Sequence, residues 1–132
     1  MNKFVTAVSC IDGRVQESVL SFMKKQFSAM YVDNITMPGV DGVLAKGENK
    51  QALEVLKNNI EISVNVHNSN VIAVFAHYDC AGNPVPETEH IGHLNKAVEL
   101  VKKWFPGIEV YGFWIDENWT VQEPDFFNKK LK

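Results

Sequence analysis

Val71-Ile72-Ala73-Val74-Phe75-Ala76 is an apolar stretch without polar alternation, the pattern of a strand covered on both faces within a parallel sheet. A strand with one wet face would alternate instead. The stretch runs directly into His77-Tyr78-Asp79-Cys80. Toward the N-terminus, Phe4 to Ser9 (FVTAVS) is a second short apolar run, and it ends at Cys10-Ile11-Asp12-Gly13-Arg14. Each of these polar motifs begins where a buried strand stops.

The segments around the two strands supply the rest of an alternating pattern. Apolar residues at 15, 19, 22, 23 and 27 predict an amphipathic helix over Val15 to Phe27. Ala29 to Ile35 reads as a second strand closed by Met37-Pro38-Gly39, with a glycine-punctuated loop from there to Gly47. Ala52, Leu53, Leu56 and Ile60 give a long helix its apolar face, and its extension through Ile62, Val64 and Val66 is β-branched, which weakens helix propensity. After the second motif, Thr88 can cap a helix with the stripe Ile91, Leu94, Val98, Val101 and Phe105, stopped by Pro106-Gly107. Ile108 to Ile115 reads as a fourth strand, and Asp116-Glu117-Asn118 can turn it into a short antiparallel edge strand at Trp119 to Gln122.

Strands alternating with helices predict a three-layer α/β/α domain with a mainly parallel sheet and right-handed crossovers, and 132 residues suit one domain over 1–132. With strand order 2-1-3-4, strands 1 and 3 are neighbours at a topological switch point, where open α/β sheets bind ligands beyond the carboxyl ends of their strands. Cys10, His77 and Cys80 can converge there.

Composition narrows the function. With 45% hydrophobic and 22% charged residues the chain reads as an ordinary globular protein. A formal net charge of -3 argues against a nucleic-acid surface, and the run Lys129, Lys130 and Lys132 reads as a solvated tail. No apolar stretch is long enough to span a bilayer, and Phe4 to Val8 is interrupted by Asp12 and Arg14 before a secretory apolar region could form. The expected location is cytoplasmic, a reducing compartment that would keep both cysteines free as ligands.

Two thiolates and an imidazole form a nitrogen and sulfur set that suits Zn²⁺. Three protein ligands rather than four leave one coordination position for water, the arrangement of catalytic zinc. Because two thiolates offset the metal's charge, help from neighbouring groups is expected. Asp12 can orient the nucleophile, and Arg14 can hold that carboxylate as a bidentate partner. An unpaired Asp12 could itself bind zinc and block the site. Gly13 between them is read as allowing an unusual turn and close approach to the metal.

The CxDxR pattern at Cys10, Asp12 and Arg14 and the HxxC pattern at His77 and Cys80 resemble the zinc-binding motifs of the β-class carbonic anhydrases. The likeness follows element order along the whole chain and points to a minimal or divergent member. It implies Zn²⁺ on Cys10, His77 and Cys80, with Asp12 and Arg14 as the catalytic dyad. It further implies a homodimer and reversible hydration of CO₂ to bicarbonate by hydroxide on zinc, without an organic cofactor. The pattern departs at two places: Ala81 stands between Cys80 and Gly82, and Met37-Pro38-Gly39-Val40 replaces an Ala-Gly-Asn after the second strand.

Three alternatives share these residues. The same zinc site could hydrolyse carbonyl sulfide or carbon disulfide, or the domain could be a noncatalytic zinc-binding regulatory module. Cysteine chemistry with Cys10 as nucleophile and Arg14 as anion binder ranks last, because three intervening residues are too few for a phosphate-cradling loop and His77 and Cys80 go unused. Elsewhere, His90 and His93 read as surface histidines rather than a second metal site or proton shuttle, and His67 as incidental. Asp79 reads as a solvated or capping carboxylate. Gly82 to Pro86 either roofs the pocket or connects elements, and Trp104, Trp114 and Trp119 read as core or interface aromatics. Phe126 and Phe127 are expected to dock on the domain or on a second subunit.

Overall fold

A computed structural model of the chain describes residues 3–122; the readings on Phe126, Phe127 and the C-terminal lysines lie outside them. Four strands, β1 (Phe4–Ser9), β2 (Tyr31–Thr36), β3 (Val71–His77) and β4 (Glu109–Ile115), form one sheet in the order β2-β1-β3-β4. Every pairing in it is parallel. The three-layer α/β arrangement and the 2-1-3-4 order are therefore as the strand and helix pattern predicts.

All residues of β3 are buried, and they divide between two cores as period 2 requires. Val71, Ala73 and Phe75 pack with Val5 and Ala7 under α1 (Gln16–Phe27), whose buried positions are Val19 and Met23. Ile72, Val74 and Ala76 face the other way, against α2 (Val40–Lys46), α3 (Lys50–Glu61) and α4 (Glu87–Trp104). Each fully buried aliphatic or aromatic side chain is worth about 1.5–3 kcal/mol. The unbroken apolar reading of Val71 to Ala76 thus reflects a strand that contributes to two cores at once.

Five local expectations are revised. The stretch between Gly39 and Gly47 is not a loop but α2, and the glycines mark its ends: both adopt the left-handed conformation, at φ 58° and 65°. Gly42 lies inside the helix because a Cβ there would fall 2.8 Å from the Asn83 side chain. The β-branched extension of α3 is a π-helix over Ile62–Val66, which buries Ser63. Its hydroxyl donates to Asp33, and His67 meets the same carboxylate oxygen at 2.7 Å, so His67 is a structural partner rather than incidental.

Thr88 does not cap α4, which starts one residue earlier behind Pro86, with Glu87 and Glu89 in the first turn where negative charge suits the helix dipole. The edge strand at Trp119 to Gln122 is reduced to one antiparallel bridge, Ile115 to Val121. There the Asp116 carboxylate accepts from the amides of Asn118 and Thr120, and Trp119 turns left-handed at φ 59°, so the backbone is not extended long enough to make a strand. Among the described residues, no helix is long and apolar enough to cross a membrane.

Candidate metal centre

Cys10 follows β1 directly and His77 is the last residue of β3, and these two strands are hydrogen-bonded neighbours. A tight turn after β3 brings Cys80 back to the same place, with Asp79 left-handed at φ 57°. The Sγ atoms of Cys10 and Cys80 are 3.9 Å apart, and with a His77 ring nitrogen they form a group whose ligand atoms all lie within 4.8 Å of one another. All three residues are buried, and both cysteines are free thiols.

The group fits a metal ion on its own chemistry. His77 Nδ1 lies 2.7 Å from the Tyr78 carbonyl oxygen, to which it donates, leaving Nε2 as the ring's lone-pair nitrogen. That Nε2 is buried without a hydrogen-bond partner among the described residues. A buried acceptor left empty is costly unless something fills it, and two sulfurs beside it complete a set that suits Zn²⁺. The two thiols also share a proton, since either sulfur can donate in the Cys10–Cys80 contact. That hydrogen bond, with the His77 ring and backbone amides including Gly39 N–H at 3.5 Å, outweighs burial and lets the pair give up its first proton below the ordinary thiol value, while the second is held above it.

Asp12 and Arg14 stand beside this group as a closed pair. Arg14 donates from its backbone N–H at 2.9 Å, from Nε at 3.1 and 3.2 Å, and from Nη2 at 2.7 Å, engaging both carboxylate oxygens. These bonds hold the Asp12 carboxyl down to about 2, against the opposing effect of burial. Gly13 does not make the unusual turn expected of it: it is absent from the positive-φ glycines, and a Cβ built there would meet no protein atom within 4 Å.

The glycines that matter are Gly39 and Gly82. A Cβ on Gly39 would lie 2.5 Å from Gly82 C, and one on Gly82 would lie 2.6 Å from Gly39 N. The loops after β2 and β3 therefore touch backbone to backbone, and Gly39 N–H reaches Cys10. The two departures from the motif pattern, Met37-Pro38-Gly39-Val40 and Ala81-Gly82-Asn83, are the two halves of that contact.

Behind the loops lies a buried polar network. His90 Nδ1 donates to Asp41 Oδ2 at 2.6 Å, and Asn83 Nδ2 contacts the same oxygen at 3.1 Å and His93 Nδ1 at 2.9 Å. His90 is 1% exposed, which corrects the reading of His90 and His93 as surface residues. Ring nitrogens three residues apart on a helix gave no sign of this, because their partner Asp41 sits in the helix that the glycines disguised. Asp79 and Trp119, read as a solvated or capping carboxylate and as a core or interface aromatic, both meet Arg14: Asp79 pairs with it at 3.2 Å, and the Arg14 guanidinium lies 4.6 Å from the centre of the Trp119 ring.

The family model described as "Putative carbonic anhydrase" matches residues 1–124. The chain belongs to that family. Its motif residues Cys10, Asp12, Arg14, His77 and Cys80 all fall inside the match. An uncharacterized protein of Rickettsia conorii is 25% identical over 128 residues, covering 88% of this chain and 69% of the relative. Another uncharacterized protein, from Rickettsia bellii, is 27% identical over 118 residues, covering 80% of this chain and 72% of the relative. Among solved structures, beta-carbonic anhydrase isoform I of Trichomonas vaginalis matches with a TM-score of 0.58 at 16% identity, over 92% of this chain and 84% of that one. At that identity the likeness is one of fold, and it extends through the β2-β1-β3-β4 sheet.

Proposed function

We propose that the chain catalyses the reversible hydration of CO₂ to bicarbonate at a zinc site held by Cys10, His77 and Cys80, with Asp12 and Arg14 as the catalytic pair. The observation that carries this reading is the convergence of two buried free thiols and an unpartnered imidazole nitrogen at adjacent strand ends, within a carbonic anhydrase family. Zn²⁺ bound there would lower the pKa of a water and supply a nucleophile at neutral pH.

The protein's own groups direct that nucleophile. Asp12, held ionised by Arg14, is an acceptor only, so it would accept a hydrogen bond from the nucleophile and leave a lone pair facing the carbon of CO₂. Arg14 keeps the carboxylate occupied and prevents it from becoming a ligand itself. Gly39 N–H on Cys10 Sγ fixes the sulfur and spreads its charge.

The test is metal analysis joined to stopped-flow CO₂ hydration on the wild type and Asp12→Asn. One zinc per chain is expected, with activity that falls about 100-fold or more in the variant while zinc is retained. Zinc without hydration activity would refute the carbonic anhydrase reading, and purified protein without zinc would refute the metal site as well.

We also read 1–132 as one domain acting in the cytoplasm, where reduced thiols persist, and as a homodimer. Support for the dimer comes from the outer edge of β2, which pairs with no other strand among the described residues, and from exposed Met30 and Tyr31 at its start. Sedimentation equilibrium tests the assembly: a single species of about 15 kDa, near the 14.9 kDa chain mass, would refute it.

A further inference from the structure

Arg14 is half exposed, with 47% of its side-chain surface accessible, and an exposed ion pair between flexible side chains holds little by itself. Yet its guanidinium is fixed on every side. One edge, Nε and Nη2, faces Asp12. The other edge faces Asp79, with Nη1 donating to Oδ2 at 3.2 Å and Nη2 to the backbone carbonyl at 3.0 Å. Because the two aspartates use different edges, they do not compete. The flat face rests over Trp119 at 4.6 Å, a cation–π arrangement.

Both supports are locked in backbone conformations that side chains seldom take. Among the described residues, four non-glycine residues have positive φ: Ser28, which ends α1, Asn68, Asp79 and Trp119. Two of the four touch Arg14. For a residue as bulky as Trp this conformation is unusual and persists only where surroundings enforce it. Here the Trp119 N–H donates to Asp116, and the Trp119 carbonyl accepts from Ser18 Oγ at 2.6 Å. Its ring also packs on the core beneath α1. The tryptophan is thus anchored to the body of the domain, and the arginine is anchored to the tryptophan.

We propose that Trp119 and Asp79 are positioning residues that clamp Arg14, so that Arg14 keeps the Asp12 carboxylate away from the metal and leaves one coordination position for an external ligand. The inference rests on the zinc reading above, and it concerns a residue outside both motifs, Trp119, and an unspecified position within the second, Asp79. Loosening the clamp frees Asp12 to occupy the position that substrate chemistry requires.

The experiment uses full-length protein loaded with Co²⁺, whose visible absorption reports both metal binding and displacement of its fourth ligand. Thiocyanate affinity is read from those bands in the wild type, Trp119→Ala, Trp119→Phe, Asp79→Ala and Asp12→Ala, and in Asp12→Ala combined with each clamp variant. Trp119→Ala is expected to weaken thiocyanate binding about fivefold, on the scale of a partly buried cation–π contact, and Trp119→Phe to keep most of the affinity. Asp79→Ala, at an exposed position, carries the same test should Trp119→Ala fold poorly, with a loss of roughly twofold to threefold. In the Asp12→Ala background either clamp substitution should change nothing, because no carboxylate remains to swing in. An equal loss in that background, or no loss in both clamp variants, would overturn the clamp while leaving the metal site standing. Absence of cobalt bands in the wild type would overturn the zinc reading and the clamp with it.

Discussion

Asp12 and Asp41 are both carboxylates beside the Cys10, His77 and Cys80 group, and they are held in unlike ways. Asp41 is 2% exposed and gathers His90 and Asn83, groups carried by α4 and by the Cys80 loop. Asp12 is gathered by a side chain two residues away that is itself half exposed. The first carboxylate ties secondary-structure elements together and can move only if they separate. The second can move when one arginine does. Position near a site therefore does not decide a role; what decides it is whether the partners belong to the scaffold or to the surface. On this comparison Asp41 holds the shape of the pocket, and Asp12 is the group whose position depends on a single side chain, Arg14, and on what clamps it.

The comparison breaks most clearly at Asp41. Asp41→Ala strips the acceptor from the buried His90 Nδ1–H and the Asn83 amide and leaves a void, which costs about 3 kcal/mol. Urea unfolding should show that loss, with one zinc per chain still bound in the folded protein. A variant of wild-type stability would mean that the network is incidental.

A smaller effect separates two glycines, Gly82 and Gly13. Gly82→Ala would drive a methyl to 2.6 Å from Gly39 N and 2.7 Å from Pro38 C, both backbone atoms, so the loops must part. The expected cost is about 1–3 kcal/mol, with metal affinity lowered about tenfold as Gly39 N–H leaves Cys10. Gly13→Ala meets open space and should stay within about 0.5 kcal/mol of wild type. Metal competition with a chromophoric chelator measures the affinity, and equal behaviour of the two variants would refute the contact between the loops.

These two glycine positions also show how far the sequence was legible. The buried strands and, once the order 2-1-3-4 is assumed, the convergence of Cys10, His77 and Cys80 followed from apolar runs ending at polar motifs, because a buried parallel strand leaves an unmistakable local pattern. The motif glycine, Gly13, attracted a turn it does not make, whereas Gly39 and Gly82, far apart in sequence, meet only once β2 and β3 are placed. The same holds for Asp41 with His90, and for Arg14 with Trp119. Each is a contact between a recognisable residue and an unremarkable one brought to it by the fold. Helix α2 was hidden for a related reason: glycine reads as a loop residue, yet here it supplies the left-handed ends of a helix.

The smallest expected effect is the pH dependence of Asp12 in metal-free protein. Its folded-state carboxyl lies at about 2, below the ordinary 3.8, with the Arg14 hydrogen bonds as the leading cause. A depressed folded value means that the native state holds the proton less readily than the unfolded chain. The resulting stabilisation is fully present above about pH 4, and it drains away as pH falls from there toward 2. Solvent around the half-exposed Arg14 screens the pair, so the contribution is modest. Urea unfolding of metal-free wild type and Asp12→Asn should show a stability gap at pH 6 that narrows steadily below pH 4. The same comparison for Asp41→Asn should show a gap set by lost hydrogen-bond geometry in the core. A gap for Asp12→Asn that stays constant down to pH 2.5 would mean that the carboxylate's charge contributes nothing to its pairing with Arg14.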